Sequence, residues 1–387
     1  MLLFISSIII AISLICGLLM LWRFPQPGRP SRNLKKTGSH EQTLDLPKQP
    51  AILPAVSIII PARNEEHRLP PLLESLRRQN YNNFELIVVD DQSDDQTGKI
   101  ATAAGAMVIR TERLEDSWIG KSYACWSGAE AASGTNLVFL DADTRLETPD
   151  SLSQIVRTFQ EMGSSGILSF QPYHQVNKLY ESLSALFNII VIAGMNCFSY
   201  WQNHFRPAGS FGPCIVVNRN EYFALGGHKK ISDAVMDDLA LGSLYLDNQL
   251  QAQNCGGRDL ISFRMYPEGF RQLFEGWTKS FGTASASTHP LVFAMIIAWI
   301  SGGFSTIAIM IRSIMNSSPV WLGVSAVTII LYMLLFIFQA RRAGNFQIIS
   351  LILYPVHYIF FTILFMWSLF RTKVLHTVNW RGRKIKV

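Results

Sequence analysis

The chain has 387 residues, of which 49% are hydrophobic, and it carries a formal net charge of +6 with a pI near 9.1. This composition is too apolar for a purely soluble enzyme and too polar for a bundle of membrane spans, so it predicts one catalytic domain joined to membrane segments. The basic residues cluster beside apolar runs, which favours an anionic membrane surface over a nucleic acid as their partner.

The first element is an uncharged apolar run over residues 1–22, long enough to cross a bilayer as one helix. A cleaved signal peptide is the alternative, but no basic residue precedes the run and Trp22 and Arg23 follow it in place of a small-x-small cleavage site. Positive charge after the run predicts a cytoplasmic side there. Residues 23–55 are predicted to be a basic linker over the membrane surface.

Three apolar runs between Val56 and Asp143 have the composition of buried strands, and each ends abruptly in charged residues. They read VSIIIPARNEE, FELIVVDDQSDDQT and NLVFLDAD. Continuous apolar strands are typical of a parallel sheet covered on both faces, and ligands bind at the carboxyl ends of such strands. The polar residues expected to converge on that edge are Arg63, Asn64, Glu65, Asp90, Asp91, Asp141 and Asp143. So many carboxylates favour a divalent cation that bridges them to a phosphate.

The connecting segments predict helices over 69–79 and 96–104 and a short strand at AMVIR. Lys121 then precedes an Ala-rich helix and lies near a helix N-terminus, where anions bind, although spacing alone also allows a solvated lysine. The Asp-Ala-Asp of 141–143 has two carboxylates at i and i+2, which reach one metal, or one metal and a ribose, from a turn.

These motifs, with WIGKSYA, resemble the nucleotide-sugar half of the family 2 glycosyltransferases. The likeness continues through SFGPCIVVNRNEYFALGGH, VMDDLALG, FRMYPEGF and EGWTKSF to W-R-G-R at 380–383, and this order closely resembles the membrane-bound glycosyltransferases of carotenoid biosynthesis. It covers nearly the whole chain. The resemblance implies an α/β, GT-A nucleotide-diphospho-sugar transferase fold, with a mostly parallel sheet, helices on both faces and additional transmembrane helices.

The resemblance also implies the roles of single residues. Pro61, Arg63 and Glu65 would line the base and ribose of the nucleotide, Asp91 the uracil, and Lys121 the nucleotide; Asp141 would contact the ribose or the metal, and Asp143 would ligate Mg or Mn on the diphosphate. Asp238 would be the general base and Asp237 its neighbour. The family usually has Glu at the first of these two positions, where this chain has Asp237. Which of Asp237 and Asp238 takes up the proton of the acceptor therefore stays open. QLFEGW replaces the Q-x-x-R-W of processive relatives, which favours transfer of a single sugar.

The implied reaction is inverting transfer of one sugar, from UDP-glucose, to a lipophilic acceptor that is a carotenoid carboxylic acid. Other acceptors stay open: a polyprenyl phosphate, a hopanoid or a diacylglycerol. A second open hypothesis is that the protein is a non-catalytic membrane scaffold. A function in nucleic-acid binding is disfavoured, because Trp380 is the one aromatic residue of the basic tail. The oligomeric state is not determined by the sequence. Candidate cations for holding an ionised acceptor are His204, Arg206, His228, Arg264 and Lys279.

The predicted domain order is an anchor (1–22), the linker (23–55), a catalytic domain (56–285, with halves 56–145 and 146–285), membrane segments (286–370) and a basic cytoplasmic tail (371–387). Residues 183–198 are expected to form an interfacial or acceptor-tunnel helix. Of three C-terminal apolar segments, Phe346 to Phe370 is predicted not to cross, because four spans would leave the basic tail outside. The predicted location is the cell membrane, multi-pass, with the catalytic domain in the cytoplasm.

Overall fold

The computed structural model describes residues 2–24, 54–111, 118, 120–284, 287–373, 377–380 and 383–386. These residues form two compact units. The sheet unit contains the described residues of 25–172 and 210–261, and the helical unit contains those of 1–24, 173–209 and 262–387. This division differs from the predicted continuous domain over 56–285, because residues 173–209 and 262–284 pack with the apolar helices of the chain termini.

The sheet unit is built on a seven-stranded sheet with helices on both faces. Numbered along the whole chain, the seven strands of this sheet are β1 (Val56–Ala62), β2 (Phe84–Asp90), β3 (Met107–Arg110), β4 (Asn136–Leu140), β6 (Ile167–Gln171), β8 (Cys214–Asn218) and β9 (Ala252–Gly256). The unit also contains the short β5 (Thr144–Leu146), which is not part of this sheet. Its helices are α2 (Leu69–Arg77), α3 (Thr97–Ala103), α4 (Gly120–Ala131), α5 (Ser151–Glu161), α7 (Arg219–Ala224), α8 (Gly227–Lys230) and α9 (Asp237–Asp247).

The strand order is β3-β2-β1-β4-β8-β6-β9. Strands β1, β2, β3 and β4 run parallel, with Ala62 opposite Asp90 where β1 and β2 end. Strand β8 is antiparallel to both β4 and β6, while β6 and β9 are parallel. The mostly parallel sheet and the predicted strands and helices of the first half are therefore confirmed. The carboxyl ends of β1, β2 and β4 lie side by side at one edge.

The sheet is apolar on both faces because successive side chains of a strand point to opposite sides. Ile58 and Ile60 of β1 pack on one face with Leu69 and Leu72 of α2. Ile59 packs on the other face with residues of α4 and α9, among them Cys125, Leu241 and Tyr245. Burial on both faces explains why these strands are continuous apolar runs in the sequence.

The helical unit consists of α1 (Leu2–Met20), a 3-10 helix at Leu179–Ser184, α6 (Ala185–Gly194), α10 (Phe270–Ala284), α11 (Pro290–Met315), α12 (Pro319–Ala343), α13 (Ile348–Ile352) and α14 (Tyr354–Lys373). Strands β7 (Tyr173–His174) and β10 (Ile261–Phe263) pair in parallel through Ser262 and Phe263, and β11 (Thr377–Trp380) forms a hairpin with β12 (Arg383–Lys386). Most side chains of α6 are buried, which differs from the expected interfacial helix; α6 packs instead against α11, α12 and α14.

Polar contacts connect the first helix to α11 and α12. The Ser13 and Tyr332 hydroxyls are hydrogen-bonded, the Tyr332 hydroxyl donates to the Trp299 carbonyl, and the Gln339 side chain donates to the Gly17 carbonyl at 2.5 Å. Arg342 donates to the Leu21 carbonyl at 3.0 Å and lies over two aromatic rings. Helix α1 is therefore an integral part of this unit, beyond the simple anchor that the sequence predicts.

Two of the described helices, Pro290–Met315 and Pro319–Ala343, are long and apolar enough to cross a bilayer by length and composition. The third predicted segment is interrupted at Leu353, between α13 and α14. Pro355 lies in the first turn of α14, where its missing N–H costs no helical hydrogen bond. Large apolar side chains stay exposed along α11, α12 and α14, for example Ile297, Leu334 and Ile363. These features are consistent with membrane association.

The close packing of α4 on the sheet gives a testable prediction. A methyl group at Gly128 would lie 2.5 Å from Ile59 Cγ2 and 3.0 Å from Val89 Cγ2, and both neighbours are fully buried. Overpacking costs about 1–3 kcal/mol and Ala gains at most about 1 kcal/mol of helix propensity. We expect Gly128→Ala to lower the melting temperature of the purified full-length protein by about 2–4 °C per kcal/mol lost.

The matched control is Ser127→Ala, which introduces the same residue one position earlier in α4 without adding an atom to the sheet contact. We expect it to leave the melting temperature nearly unchanged. Equal melting temperatures for Gly128→Ala and Ser127→Ala would contradict the close approach of α4 to β1.

Candidate active site

The loops that follow β1 and β2 are connected by hydrogen bonds. The backbone N–H of Asn64 donates to Ser93 Oγ at 3.0 Å, and the backbone N–H of Asp94 donates to Asn64 Oδ1 at 2.9 Å. Asn64 and Gln92 have φ values of 53° and 55°, and Asn is among the residues that tolerate this left-handed conformation. The two loops therefore form one rigid part of the carboxyl edge of the sheet.

Arg63 and Asp91 meet across these loops, as their positions at the ends of neighbouring strands predict. Arg63 Nη1 donates to the Asp91 carbonyl at 3.2 Å and lies 3.5 Å from Asp91 Oδ2. Thr111 donates to the other carboxylate oxygen of Asp91 at 3.1 Å. The Asp91 carboxylate is thereby held in one orientation with only 3% of the residue exposed.

The other residues predicted at this edge range from half-buried to buried. Pro61 is half-buried within β1. Glu65 is 4% exposed; its carboxylate pairs with Arg68 at 3.1 Å and its backbone N–H donates to Thr97 Oγ1 at 2.8 Å. Asp90 accepts a hydrogen bond from the Ser93 N–H at 2.9 Å and so shapes the second loop. Glu65 and Asp90 are therefore tied to the structure of the edge itself.

An ion-pair cluster lies beyond the end of β4. Lys121 Nζ is 2.9 Å from Asp141 Oδ1 and 3.9 Å from Asp237 Oδ2. Asp141 follows β4, Lys121 is in the first turn of α4, and Asp237 begins α9. Burial by itself lowers the pKa of Lys121, but the Asp141 and Asp237 carboxylates outweigh it and raise that pKa well above its usual value. Lys121 is therefore charged and connects the Asp-Ala-Asp turn to the acidic pair of α9.

Asp238 is supported by the loop that precedes β8. The Ser210 hydroxyl donates to the Asp238 carbonyl at 2.7 Å, and the Pro213 carbonyl accepts the Asp141 N–H at 3.0 Å. A Cβ atom at Gly212 would lie 2.9 Å from Asp238 Oδ2 and 3.1 Å from Asp238 Cβ, so a side chain there would displace the Asp238 carboxylate. Burial and the neighbouring Asp237 raise the pKa of Asp238 to about 6, against a smaller lowering by Lys121.

The Asp-Ala-Asp turn has the chemistry of a divalent-cation site. Asp141 and Asp143 are both half-buried directly after β4. Within the part of the chain that the structure describes, no three His, Cys, Asp or Glu side chains gather as a complete ligand set. Magnesium in phosphate sites usually takes one or two carboxylates and completes its shell with water and phosphate oxygens, so two adjacent carboxylates fit such an ion.

The predicted acceptor-holding cations are divided between the two units. His204, Arg206 and Arg264 belong to the helical unit, where Arg264 pairs with Glu181 at 2.6 Å. His228 belongs to the sheet unit and is buried, and burial lowers its pKa to about 4, so it is not a cation at neutral pH. The side chain of Lys279 lies outside the described residues.

Two contributors to this region were not singled out from the sequence. Gly212 adjoins Asp238, and the Tyr222 hydroxyl is bonded to the His228 ring at 2.9 Å. In the sequence, the strings SFGP and GGH indicated only the resemblance to the family. The glycine in each string is the feature that could have identified these positions, because glycine often lies where the backbone closely approaches another group.

Comparison with known proteins identifies the family of the chain. Residues 57–223 match the family described as Glycosyl transferase family 2. A 4,4'-diaponeurosporenoate glycosyltransferase of Staphylococcus aureus (strain MRSA252) is 35% identical over 334 residues, covering 86% of this chain and 88% of its own length. The protein of the same name from strain N315 is 33% identical over 389 residues, covering 99% and 97%.

A solved structure extends the comparison to the fold. The mannosyltransferase PcManGT from Pyrobaculum calidifontis, in complex with GDP-Man and Mn2+, has a TM-score of 0.55 at 16% identity and covers 95% of this chain and 99% of its own. At this identity the likeness shows the fold alone. The sequence relatives, by contrast, share about a third of their residues over most of both chains. The chain therefore belongs to the family 2 glycosyltransferases and is a glycosyltransferase with the GT-A fold.

Proposed function

We propose that this enzyme transfers a single sugar from a nucleotide sugar, UDP-glucose, to a carotenoid carboxylic acid, with inversion at the anomeric carbon. The observation that carries the proposal is the Lys121 cluster, which brings the Asp-Ala-Asp turn and the acidic pair of α9 to one place. The acceptor class is supported by relatives named 4,4'-diaponeurosporenoate glycosyltransferase that match nearly the whole chain.

In the donor site, Asp143 would hold Mg or Mn, with Asp141 on the same ion or on the ribose, and the ion would supply positive charge that stabilises the departing phosphate oxygens. Lys121 adds a second positive charge beside that group. Arg63 and Asp91, oriented by each other and by Thr111, line the nucleotide base and ribose together with Pro61 and Glu65. The fixed loops lower the entropy cost of ordering the donor.

At the acceptor, Asp238 is the general base and Asp237 its partner. Asp237 Oδ2 lies 3.9 Å from Lys121 Nζ, whereas burial and the neighbouring Asp237 raise the pKa of Asp238 to about 6. A pKa close to the working pH suits a group that takes up a proton during the reaction. Asp238 therefore accepts the proton when the acceptor oxygen carries one.

A carotenoid carboxylic acid changes the demand on this base. Its carboxylate is already ionised at neutral pH, so its oxygen attacks the anomeric carbon while the bond to the phosphate breaks, and no proton has to leave. The product is a glycosyl ester. Asp238 is then not required as a base, whereas an alcohol acceptor would need it.

The helical unit attaches the enzyme to the cell membrane, with α11 and α12 as spans and the sheet unit in the cytoplasm. Its exposed apolar side chains, such as Ile297 and Leu334, support contact with lipid. A lipid-soluble acceptor is concentrated in the same phase. Membrane lipids are therefore the natural surroundings of this unit.

A direct assay tests the proposed reaction. Membranes that contain the full-length protein are incubated with UDP-glucose, UDP-galactose or GDP-mannose and with a carotenoid acid, a polyprenyl phosphate or a diacylglycerol, and products are identified by mass. We expect a hexosyl ester of the carotenoid acid from UDP-glucose, with the anomeric configuration opposite to that of the donor. A new glycolipid formed only from another acceptor would refute the carotenoid assignment while keeping the enzyme class.

Charge removal at Asp143 tests the metal site. Losing a ligand that contributes several kcal/mol to the transition state should lower kcat/KM at least about 100-fold. We expect Asp143→Asn to do so and to weaken Mn2+-dependent binding of UDP-glucose in calorimetry. Asp150→Asn is the matched control, because Asp150 is exposed and accepts a hydrogen bond from Asn80 that Asn can also accept. Unchanged metal dependence in Asp143→Asn would exclude Asp143 as a ligand.

The pH profile tests the role of Asp238. Because its pKa is raised to about 6, Asp238 gains a proton as the pH falls through that value. Asp237 and Asp141 contribute to the raised pKa, and Lys121 opposes them. With an alcohol acceptor, kcat/KM should then fall tenfold per pH unit, and Asp238→Asn should cost about 10²–10⁴-fold. With a carotenoid acid we expect a level profile down to the acid's own pKa, about 4.3, and a smaller effect of Asp238→Asn.

The opposite pH dependence would contradict the proposed ester product. A steep fall below pH 6 with the carotenoid acid, together with near-complete loss of activity in Asp238→Asn, would show that the reacting oxygen carries a proton. The ester product would then be excluded.

A further inference from the structure

Three helices of the helical unit share one end. Ser13 of α1 is hydrogen-bonded to Tyr332 of α12. Further along both helices, Arg342 donates to the Leu21 carbonyl at 3.0 Å, so α1 and α12 run in the same direction. Helix α11 packs against α12 and runs the opposite way, because residues 316–318 join the two in a short turn. The ends of α1 and α12 and the start of α11 therefore lie together, at what is called the Arg342 end below.

The Arg342 end has the residues of a boundary between lipid and water. Trp22 lies edge-on to Tyr200, with ring centroids 5.6 Å apart and with 50% and 55% of the two residues exposed. Arg23 and Arg341 are exposed at the same end. Tryptophan and tyrosine are enriched at membrane–water interfaces, and basic residues on one side of the membrane. With α11 and α12 as spans, this end is at one face of the bilayer and the turn 316–318 is at the other.

The chain that follows α12 stays at the Arg342 end before α13 begins. The backbone N–H of Asn345 donates to the His174 carbonyl at 3.0 Å. The backbone N–H of Gln347 donates to Ser182 Oγ at 3.2 Å. These contacts hold residues 344–347 against the segment that precedes α6, so α13 starts from this end.

Helix α14, by contrast, begins near the middle of α11 and α12. The hydroxyls of Tyr354 and Thr306 are hydrogen-bonded at 2.5 Å, and the rings of Tyr354 and Tyr332 are stacked with centroids 6.2 Å apart. Counted from the Arg342 end at about 1.5 Å per residue, Tyr332 and Thr306 are roughly 16–24 Å along their helices. The chain therefore descends through α13 to about half the depth of the bundle.

From this point α14 runs back toward the Arg342 end. The His357 ring meets Phe336 of α12, with centroids 5.1 Å apart, and the Tyr358 ring meets Trp299 of α11 at 5.6 Å. Both partners are nearer to the Arg342 end than the partners of Tyr354 are.

The last turns of α14 continue in the same direction. The Ser368 hydroxyl donates to the Thr278 carbonyl of α10 at 2.6 Å, and α10 precedes the start of α11 in the chain. Strand β11, which follows α14, packs against both α14 and α10. A segment that crossed the bilayer would instead approach the Met315 end of α11 as it continued.

The break between α13 and α14 has polar partners within the protein. Leu353 separates the two helices, and Pro355 lies in the first turn of α14. His357, of which 1% is exposed, places Nε2 at 3.0 Å from Ser350 Oγ and 3.1 Å from the Ser350 carbonyl. Interrupted backbone at membrane depth is tolerated where the protein supplies such partners.

We propose that α13 and the first half of α14 form a re-entrant helix pair, which enters the bilayer at the Arg342 end, reaches about its middle and returns to the same face. The proposal rests on the proposed membrane placement of α11 and α12. The partner of its outer surface is the acyl chains of lipid, because Ile349, Leu353 and Val356 are 66%, 57% and 50% exposed. This surface continues the exposed apolar side chains of α11 and α12. The basic tail is then on the face that carries Arg23 and Arg341.

Cysteine labelling of the full-length protein tests the return of α14. Asn316→Cys places a thiol in the exposed turn between α11 and α12, and Thr372→Cys places one near the end of α14. Each is treated with a membrane-impermeant maleimide in intact cells and after permeabilisation, and a permeant maleimide confirms that each thiol is reactive. The unsubstituted protein, with its five native cysteines, gives the background to subtract.

We expect the impermeant reagent to reach one of the two sites in intact cells and the other only after permeabilisation. A complete span over residues 346–370 would place both sites on one face, so labelling of both under the same condition would overturn the proposal. The result does not depend on the acceptor. If the two sites are on opposite faces but no carotenoid acid is glycosylated, only the acceptor assignment fails.

A third variant, Leu353→Cys, tests the depth of the pair. The exposure of Leu353 means that the protein itself does not shield a thiol there, whereas lipid would, because maleimide reacts with the thiolate, which forms in water. In permeabilised membranes we expect Leu353→Cys to react at least about tenfold more slowly than Asn316→Cys, and to react fully once detergent and denaturant are added. Equal rates in the membrane would show that the pair lies on the surface, and would refute its insertion.

Discussion

A single ammonium group offsets the mutual repulsion of the carboxylates at the carboxyl edge of the sheet. Asp141, Asp237 and Asp238 come from two elements far apart in the chain, and Lys121 lies within 2.9 Å of the first and 3.9 Å of the second. Two like charges about 4 Å apart repel by about 4 kcal/mol at an effective dielectric constant of 20. Without a positive charge between them, these acids would separate or take up protons. The Lys121 ion pairs thus keep the Asp-Ala-Asp turn and the acidic pair of α9 together.

The ends of helices and strands explain how these groups reach one place. Asp237 and Asp238 occupy the first turn of α9, where the helix dipole stabilises negative charge. Lys121 occupies the first turn of α4, where the dipole disfavours a cation, so its position there depends on the two carboxylates. Asp141 follows a strand buried on both faces, and the end of such a strand is among the least mobile positions that a sheet offers. Most of the charged groups are therefore held by rigid elements.

The helical unit uses a different chemistry. Its outer side chains are apolar, and its interior contains polar contacts such as Ser13–Tyr332 and Gln339 to the Gly17 carbonyl. Where water is absent, polar groups have to satisfy one another inside the protein, and such contacts specify which helices pack together. This explains why α1, at the start of the chain, packs against α11 and α12 near its end.

Much of the sheet unit was determined by local sequence. The runs at Val56, Phe84 and Asn136 are apolar because both faces of the sheet are covered, and they end in Arg63, Asp91 and Asp141 because the strands end at a polar edge. Such patterns involve only a few neighbouring residues, so they can be recognised in the sequence alone. The family and the meeting of Arg63 with Asp91 followed from them.

Only the tertiary structure decided which distant residues share a contact. The pairing of Lys121 with Asp237, the close approach of Gly212 to Asp238 and the burial of His228 against Tyr222 depend on how helices pack across the sheet. The same holds for residues 173–209 and 262–284, which belong to the helical unit. In the sequence, the first range lies between two segments of the sheet unit and the second follows that unit. The sequence states the chemical type of each side chain, but the charge of His228 and the proton affinity of Asp238 depend on burial and on neighbours supplied by other elements.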